Sequence, residues 1–159
     1  MRSMRKKKRE ITDPEKIRQI VQRCTVCRLG FCDNGQAYIV PMNFGFTEEN
    51  GHYTFYFHSA AEGRKIDLIR ETGQAGFELD TGYELHTADT ACGHTAAFQS
   101  IIGSGTVRIL EDPAEKAAGL QSIMLHNTGR GDWTFQPDIL QLVCVFRLDA
   151  EELSCKEHT

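Results

Sequence analysis

Ile17, Ile20, Val21 and Cys24 recur at the i, i+3, i+4, i+7 spacing of one buried helical stripe. Ahead of them stand Asp13 before Pro14, and Thr12 with Glu15, two alternative signatures of a helix start. From about Val26 the period changes. "VCRLGFCD" and "QAYIVPMNFGF" are β-rich runs parted by Asn34-Gly35, the strongest short hairpin signal, and "HYTFYFH" predicts a third strand after the turn "EENG". Both faces of that strand carry large rings, Tyr53, Phe55 and Phe57 against Tyr56 and His58, which predicts cover on both sides, as in a barrel or at a dimer interface.

Residues 59–72 read as a short helix and "AGFELD" as a strand, while residues 83–93 follow no single period. "FQSIIGSGTVRILED" predicts a long strand in which Gly103 and Gly105 mark a bulge or a close backbone approach. Asp112-Pro113 with Glu115 starts another helix, its apolar stripe running through Ala117, Leu120 and Met124. After the loop "TGRGDWTFQPD", "LQLVCVFRLDA" supplies a last strand. Short hairpins with interposed helices make the expected class α+β, a small antiparallel barrel with peripheral helices.

Composition adds one domain over residues 11–156, behind a disordered basic tail over residues 1–10. Six of the 18 basic residues lie in that tail, so the rest of the chain, with 12 basic and 21 acidic residues, carries a formal −9. An acidic body argues against a nucleic-acid surface, which needs clustered cations on a folded face. No apolar run is long enough for a membrane span or an export signal, so the expected setting is the cytoplasm. There the six cysteines are expected to be reduced, with Cys24 and Cys27 of "CTVC" buried as small hydrophobes rather than holding zinc.

The stretch "HSAAEGRK" carries the candidate chemistry. Ser59 and Glu62 have the spacing of a capping box, which makes one reading a capped surface helix with Arg64 and Lys65 as solvated charges. The other is a phosphate site, because a helix N-terminus offers free N–H groups and a hydroxyl with two cations beside it completes an anion cradle. Pro41 in "VPMNFGF" likewise has two readings. It marks an edge strand guarded against aggregation, or a disrupted strand whose free backbone groups meet the polar rim of a flat ring.

The order of "YIVPMNFGF", "YTFYFHSAAEGRKIDLIR", "FQSIIGSGTV", "EDPAEKAAGLQSIM" and "GRGDWTFQPDILQLVCVFRLDAEELSCK" resembles the pyridoxamine 5'-phosphate oxidase-like FMN-binding split barrels, and within them the 5-nitroimidazole reductase (Nim-type) branch. The resemblance implies non-covalent FMN in a homodimer, with Val40, Pro41, Met42 and Asn43 along the flavin ring and His58 and Ser59 flanking the ribityl-phosphate path. It also implies Arg64 and Lys65 on the phosphate, and Gln99, Ser100 and Gly103 near the flavin across a two-fold interface. "ACGHTAAF" stands where relatives carry an aromatic-rich segment, which points to an altered pocket over the ring.

The implied activity is an oxidoreductase passing electrons from a transient NAD(P)H donor to a small acceptor such as a nitro compound, with His58 as proton source. The alternative is a module of the same fold that holds flavin, haem or the deazaflavin F420 without turnover. His86, Cys92 and His94 lack the spacing of a metal site, and His52, His126 and His158 receive no role. Trp133 anchors its loop or stacks on a cofactor.

Overall fold

The computed structural model describes residues 4–159. The strands are β1 (Glu10–Ile11), β2 (Cys27–Asp33), β3 (Gln36–Met42), β4 (Gly45–Glu49), β5 (His52–Ser59), β6 (Gln74–His86), β7 (Thr95–Leu110) and β8 (Cys144–His158). The helices are α1 (Pro14–Arg23), α2 (Arg64–Thr72), α3 (Pro113–Thr128) and α4 (Pro137–Leu142). All strand pairs are antiparallel, in the order β3-β2-β6-β7-β8-β5-β4, with β1 added to β8. The sheet does not close, because β3 and β4 end its path although they follow one another in the chain. Its inward faces bury Leu29, Phe31, Phe55, Phe57, Phe77, Leu79, Ile101, Phe146 and Leu148, and α1 adds Ile20 and Val21.

Two helix starts are built as their sequences require. The Asp13 carboxylate accepts from Glu15 N at 3.1 Å, and the Asp112 carboxylate from Glu115 N at 3.1 Å, in each case beside a proline that has no N–H to leave unpaired. The register slips between Ser104 and Gly105, where the glycines predicted a bulge. An added Cβ on Gly103 would collide with Glu152 O and the Phe77 ring, and one on Gly105 with Asp149 O.

Three expectations are corrected. The run 36–46 is two strands, not one: it breaks at Asn43 and Phe44, and the Phe44 carbonyl is taken by Asn127 Nδ2 at 3.0 Å instead of a neighbouring strand. On α3 the buried positions are Lys116, Gly119 and Ile123, with Ala117, Leu120 and Met124 only half-buried. Gly45 of β4 sets this rotation by lying against the backbone of Ser122 and Ile123. A short α4 precedes β8. In the basic tail, Lys7–Arg9 form a turn of 3-10 helix and Glu10 pairs with Lys156 of β8; the tail's residues 1–3 lie outside the described part.

Among the described residues no helix is long and apolar enough to cross a membrane. Cys24 and Cys27 do pack in the core, where burial pushes the Cys24 thiol up to about 12 and that of Cys27 higher still.

His126, on α3, was given no role from sequence. Its Nε2 meets Cys24 O at 2.7 Å and its ring lies 4.4 Å from that of Phe44, joining α1, α3 and the break after β3. Burial holds its pKa below the ordinary 6.5, against the pull of the Cys24 carbonyl. The neutral ring is therefore the folded form, and its contribution to stability is present above pH 6.5 and lost as pH falls through the folded value. Denaturant titrations from pH 7 to pH 5 are expected to show this loss in the wild type. His126→Gln removes that part of the slope; an unchanged slope in the variant would place the acid-sensitive group elsewhere.

Candidate functional site

The site assembles where β5 runs into α2. Ser59 is the last residue of β5, paired with Cys144, and its hydroxyl donates to Ala60 O at 2.8 Å. The helix begins five residues later than the sequence pattern predicts, so Ser59 and Glu62 form no capping box. Gly63 takes the N-cap position with φ 129°, a conformation closed to side chains with a Cβ, and no side chain caps the helix. Its carbonyl accepts from Ile66 N at 3.0 Å and Asp67 N at 3.1 Å. The N–H groups of Arg64 and Lys65, one step earlier, have no carbonyl above them and point out of the helix end.

The two cations behave differently. Arg64 reaches back to the β2–β3 hairpin, with Nε 2.8 Å and Nη2 2.7 Å from Asp33 Oδ2 and its guanidinium 4.3 Å above the Tyr38 ring. Lys65 is half-buried and makes no hydrogen bond or ion pair among the described residues. Further positive charge converges on Cys144, opposite Ser59. Burial raises the Cys144 thiol, while Lys116, Arg70, the Ser59 hydroxyl and Lys65 pull it down. Lys116 is itself buried, and its ammonium donates to Leu140 O rather than to a carboxylate. The end of β5 thus has Lys116, Arg70 and Lys65 about Cys144, on a chain whose body is strongly acidic.

Val40, Pro41, Met42 and Asn43 stand on the outermost strand and the break beyond it. Val40 and Met42 are half-buried, Pro41 and Asn43 exposed. β3 pairs only with β2, so Pro41 sits on a free edge and costs the ladder no hydrogen bond there. Tyr38, under Arg64, lies on the same strand, which runs from the cationic end toward Asn43.

The other sequence candidates are not gathered here within one chain. His58 faces outward, exposed, with no hydrogen bond among the described residues. Gln99 bonds Arg23 Nη2 at 2.5 Å and the Glu157 carboxylate, which Lys16 holds at 2.6 Å, so its amide ties α1 to β7 and β8. Gln99, Ser100 and Gly103 are on β7, three strands round the sheet from β3. Ile101 nevertheless shares a row with Met42, through Leu79 and Cys27. Trp133 is an anchor: its Nε1 donates to Arg130 O at 2.9 Å, its N–H to Gln121 Oε1 at 3.1 Å, and Arg130 lies 4.2 Å over the ring.

His94 Nδ1 meets Thr90 O at 2.9 Å and His86 lies 3.9 Å from Glu84; among the described residues no three His, Cys, Asp or Glu side chains are placed to hold a metal ion.

Asp33 and Tyr38 are the residues that sequence reasoning missed. The only signal was that Asn34-Gly35 folds β2 back on β3 and so brings both to the hairpin end.

The open antiparallel sheet with peripheral helices is an α+β split barrel. The chain matches the pyridoxamine 5'-phosphate oxidase family over residues 13–157 and belongs to it. No curated protein matches it. Among solved structures, a candidate 5-nitroimidazole antibiotic resistance protein from Bacteroides thetaiotaomicron is similar with a TM-score of 0.80 and 28% identity, over 93% of this chain and 86% of that one. A flavocytochrome from Azotobacter vinelandii has a TM-score of 0.78 at 21% identity, over 99% and 72%. An FAD- and haem-binding protein from Mycobacterium smegmatis has 0.78 at 13%, over 94% and 73%. These last two show the shared fold.

Proposed function

We propose that the protein is a flavin-dependent oxidoreductase that holds FMN non-covalently, accepts electrons from NAD(P)H and delivers them to a small acceptor such as a nitro compound. The observation that carries this reading is the uncapped first turn of α2 with its two successive cations, Arg64 held over Tyr38 on the free-edge strand β3 and Lys65 with no partner among the described residues. That donor set suits a phosphate monoester: open N–H groups, a planar guanidinium and an ammonium without a partner. A ligand held at Arg64 and extended along β3 would pass Val40 and Pro41 and bring a flat ring to Met42 and Asn43, with Ser59 near its phosphate end. When bound, the flavin supplies the hydride and electron chemistry, and the chain supplies position and polarity. In this reading His58, whose side chain is exposed and makes no hydrogen bond among the described residues, is the proton source for the reduced acceptor. Similarity to flavin-binding proteins of this fold and to a candidate nitroimidazole resistance protein supports the same reading.

We further propose a homodimer with two shared sites. Gln99, Ser100 and Gly103 lie at the height of Met42 but reach β3 only from a second copy. Ile39 and Ile102, 64% and 54% exposed, stand on the intervening outer face, where a soluble chain gains by covering them. Ile102→Glu is expected to halve the mass seen by sedimentation and to lower flavin occupancy with it; a variant that stays dimeric would move the interface off this face. All six cysteines are unpaired, which suits a reducing, cytoplasmic setting.

Among the described residues His58 has no side-chain hydrogen-bond partner to orient it for proton transfer, which favours a second reading, a module that holds a flavin, haem or F420 without turnover. A visible spectrum of purified protein, with mass spectrometry of the heat-released molecule, tests both. Released FMN that NAD(P)H reduces and a nitro compound reoxidises supports the oxidoreductase. Bound cofactor with no donor or acceptor favours the holding module, and a colourless chain that refuses FMN sinks both.

A further inference from the structure

Asp33 ends β2 beside the Asn34-Gly35 turn, and among the described residues its carboxylate is the one ion-paired with Arg64. Its Oδ2 takes both Nε and Nη2 of Arg64, at 2.8 Å and 2.7 Å, while Asn34 Nδ2 donates to Oδ1 at 3.4 Å. Tyr38 lies under the same guanidinium, so one side chain fixes the edge of the fork and the other fixes its plane. A guanidinium has five N–H donors in a rigid plane. Asp33 uses those on the Nε side. The Nη1 pair and the second Nη2 proton then face away from the carboxylate, as a two-point donor for phosphate oxygens.

We infer that Asp33 is a positioning residue for phosphate recognition, one that makes the site select phosphorylated over unphosphorylated forms of its ligand. The inference rests on the phosphate reading of Arg64 given above. Without Asp33, Arg64 is a long exposed side chain free to sample many rotamers, and ordering it would weaken every ligand that needs it. The carboxylate also opposes an incoming dianion. That repulsion is offset locally, since Arg64 neutralises Asp33 while Lys65, Arg70 and Lys116 have no carboxylate partner among the described residues.

The experiment titrates FMN and riboflavin, which differ only in the phosphate, into wild type, Asp33→Ala and Asp33→Asn freed of bound flavin. Asp33→Ala is expected to weaken FMN by about tenfold and leave riboflavin unchanged, while Asp33→Asn, which keeps an oxygen acceptor, restores most of the loss. The slowly exchanging Arg64 Nε–H signal in the wild type's NMR spectrum is expected to vanish in Asp33→Ala. Tighter FMN binding in both variants would make Asp33 a competitor of the phosphate and overturn the proposal. Equal loss of FMN and riboflavin would reduce Asp33 to a structural residue. A wild type that does not distinguish FMN from riboflavin removes the phosphate reading itself, and this inference with it.

Discussion

Replacing Arg64 and Lys65 together by alanine is expected to abolish retention of FMN through purification while leaving the fold intact. Each side chain supplies a charge-assisted contact to a phosphate, worth about 1.5–3 kcal/mol when removed from a partly desolvated site. Losing both weakens binding by about 3–6 kcal/mol, or roughly 10²- to 10⁴-fold. Stability changes little by comparison. The Arg64–Asp33 pair is a surface ion pair, and such pairs contribute about 0–1 kcal/mol. Flavin fluorescence quenching measures the affinity and circular dichroism the fold. Riboflavin is the control, since a phosphate site has no grip on it and its weaker affinity should not move. A double variant that keeps FMN at wild-type affinity would place the phosphate elsewhere and return α2 to an ordinary surface helix.

The second large effect falls on stability. Gly45 lies against the backbone of Ser122 and Ile123, so a Cβ there meets atoms that no rotamer change can move aside. Gly45→Ala must push β4 off α3 or bend the helix. The cost expected for such overpacking is about 3 kcal/mol or more, and 3 kcal/mol lowers the melting temperature by about 6–12 °C in a chain of this size. Gly30→Ala is the matched control. The nearest atom to its added Cβ is Gly76 O at 3.9 Å, an ordinary van der Waals contact, and its stability should stay within about 0.5 kcal/mol of wild type. Equal melting temperatures for the two variants would show that α3 is not pressed on β4 as described.

The glycines also show what the sequence revealed and what it withheld. Gly103 and Gly105, inside a long strand run, announced a bulge or a close backbone approach, and the strand has both there. Gly45 announced nothing, since its neighbour in space is a helix some eighty residues away. The hairpin at Asn34-Gly35 and the capped starts of α1 and α3 were legible because the responsible groups are local. The start of α2 misled for the opposite reason. Ser59 and Glu62 fit a local cap, but Ser59's backbone was already committed to β8 through Cys144. The break at Asn43 and Phe44 was hidden in a run read as one strand, where only Pro41 hinted at disruption, and the Phe44 carbonyl finds its partner in the distant Asn127 amide. Of the site, Arg64, Lys65 and Ser59 could be read from one stretch of chain. Asp33, thirty-one residues from Arg64, could not.

The strand order has a consequence for how the chain acquires its shape. β2 with β3, and β4 with β5, are hairpins made of neighbours in sequence, yet each lies at an opposite end of the sheet and the two are never paired with one another. Within the sheet the β4–β5 hairpin is joined to the other strands only by β8, through pairs such as Phe57 with Phe146, about ninety residues apart. During synthesis that hairpin has α3 to pack on but no strand to join it to the sheet until β8 leaves the ribosome. Pairings this remote are slow to form, so the docking of β8 is expected to be the late step that makes folding cooperative. Until then the aromatic face of β5 is a surface that a chaperone, or another unfinished chain, can bind.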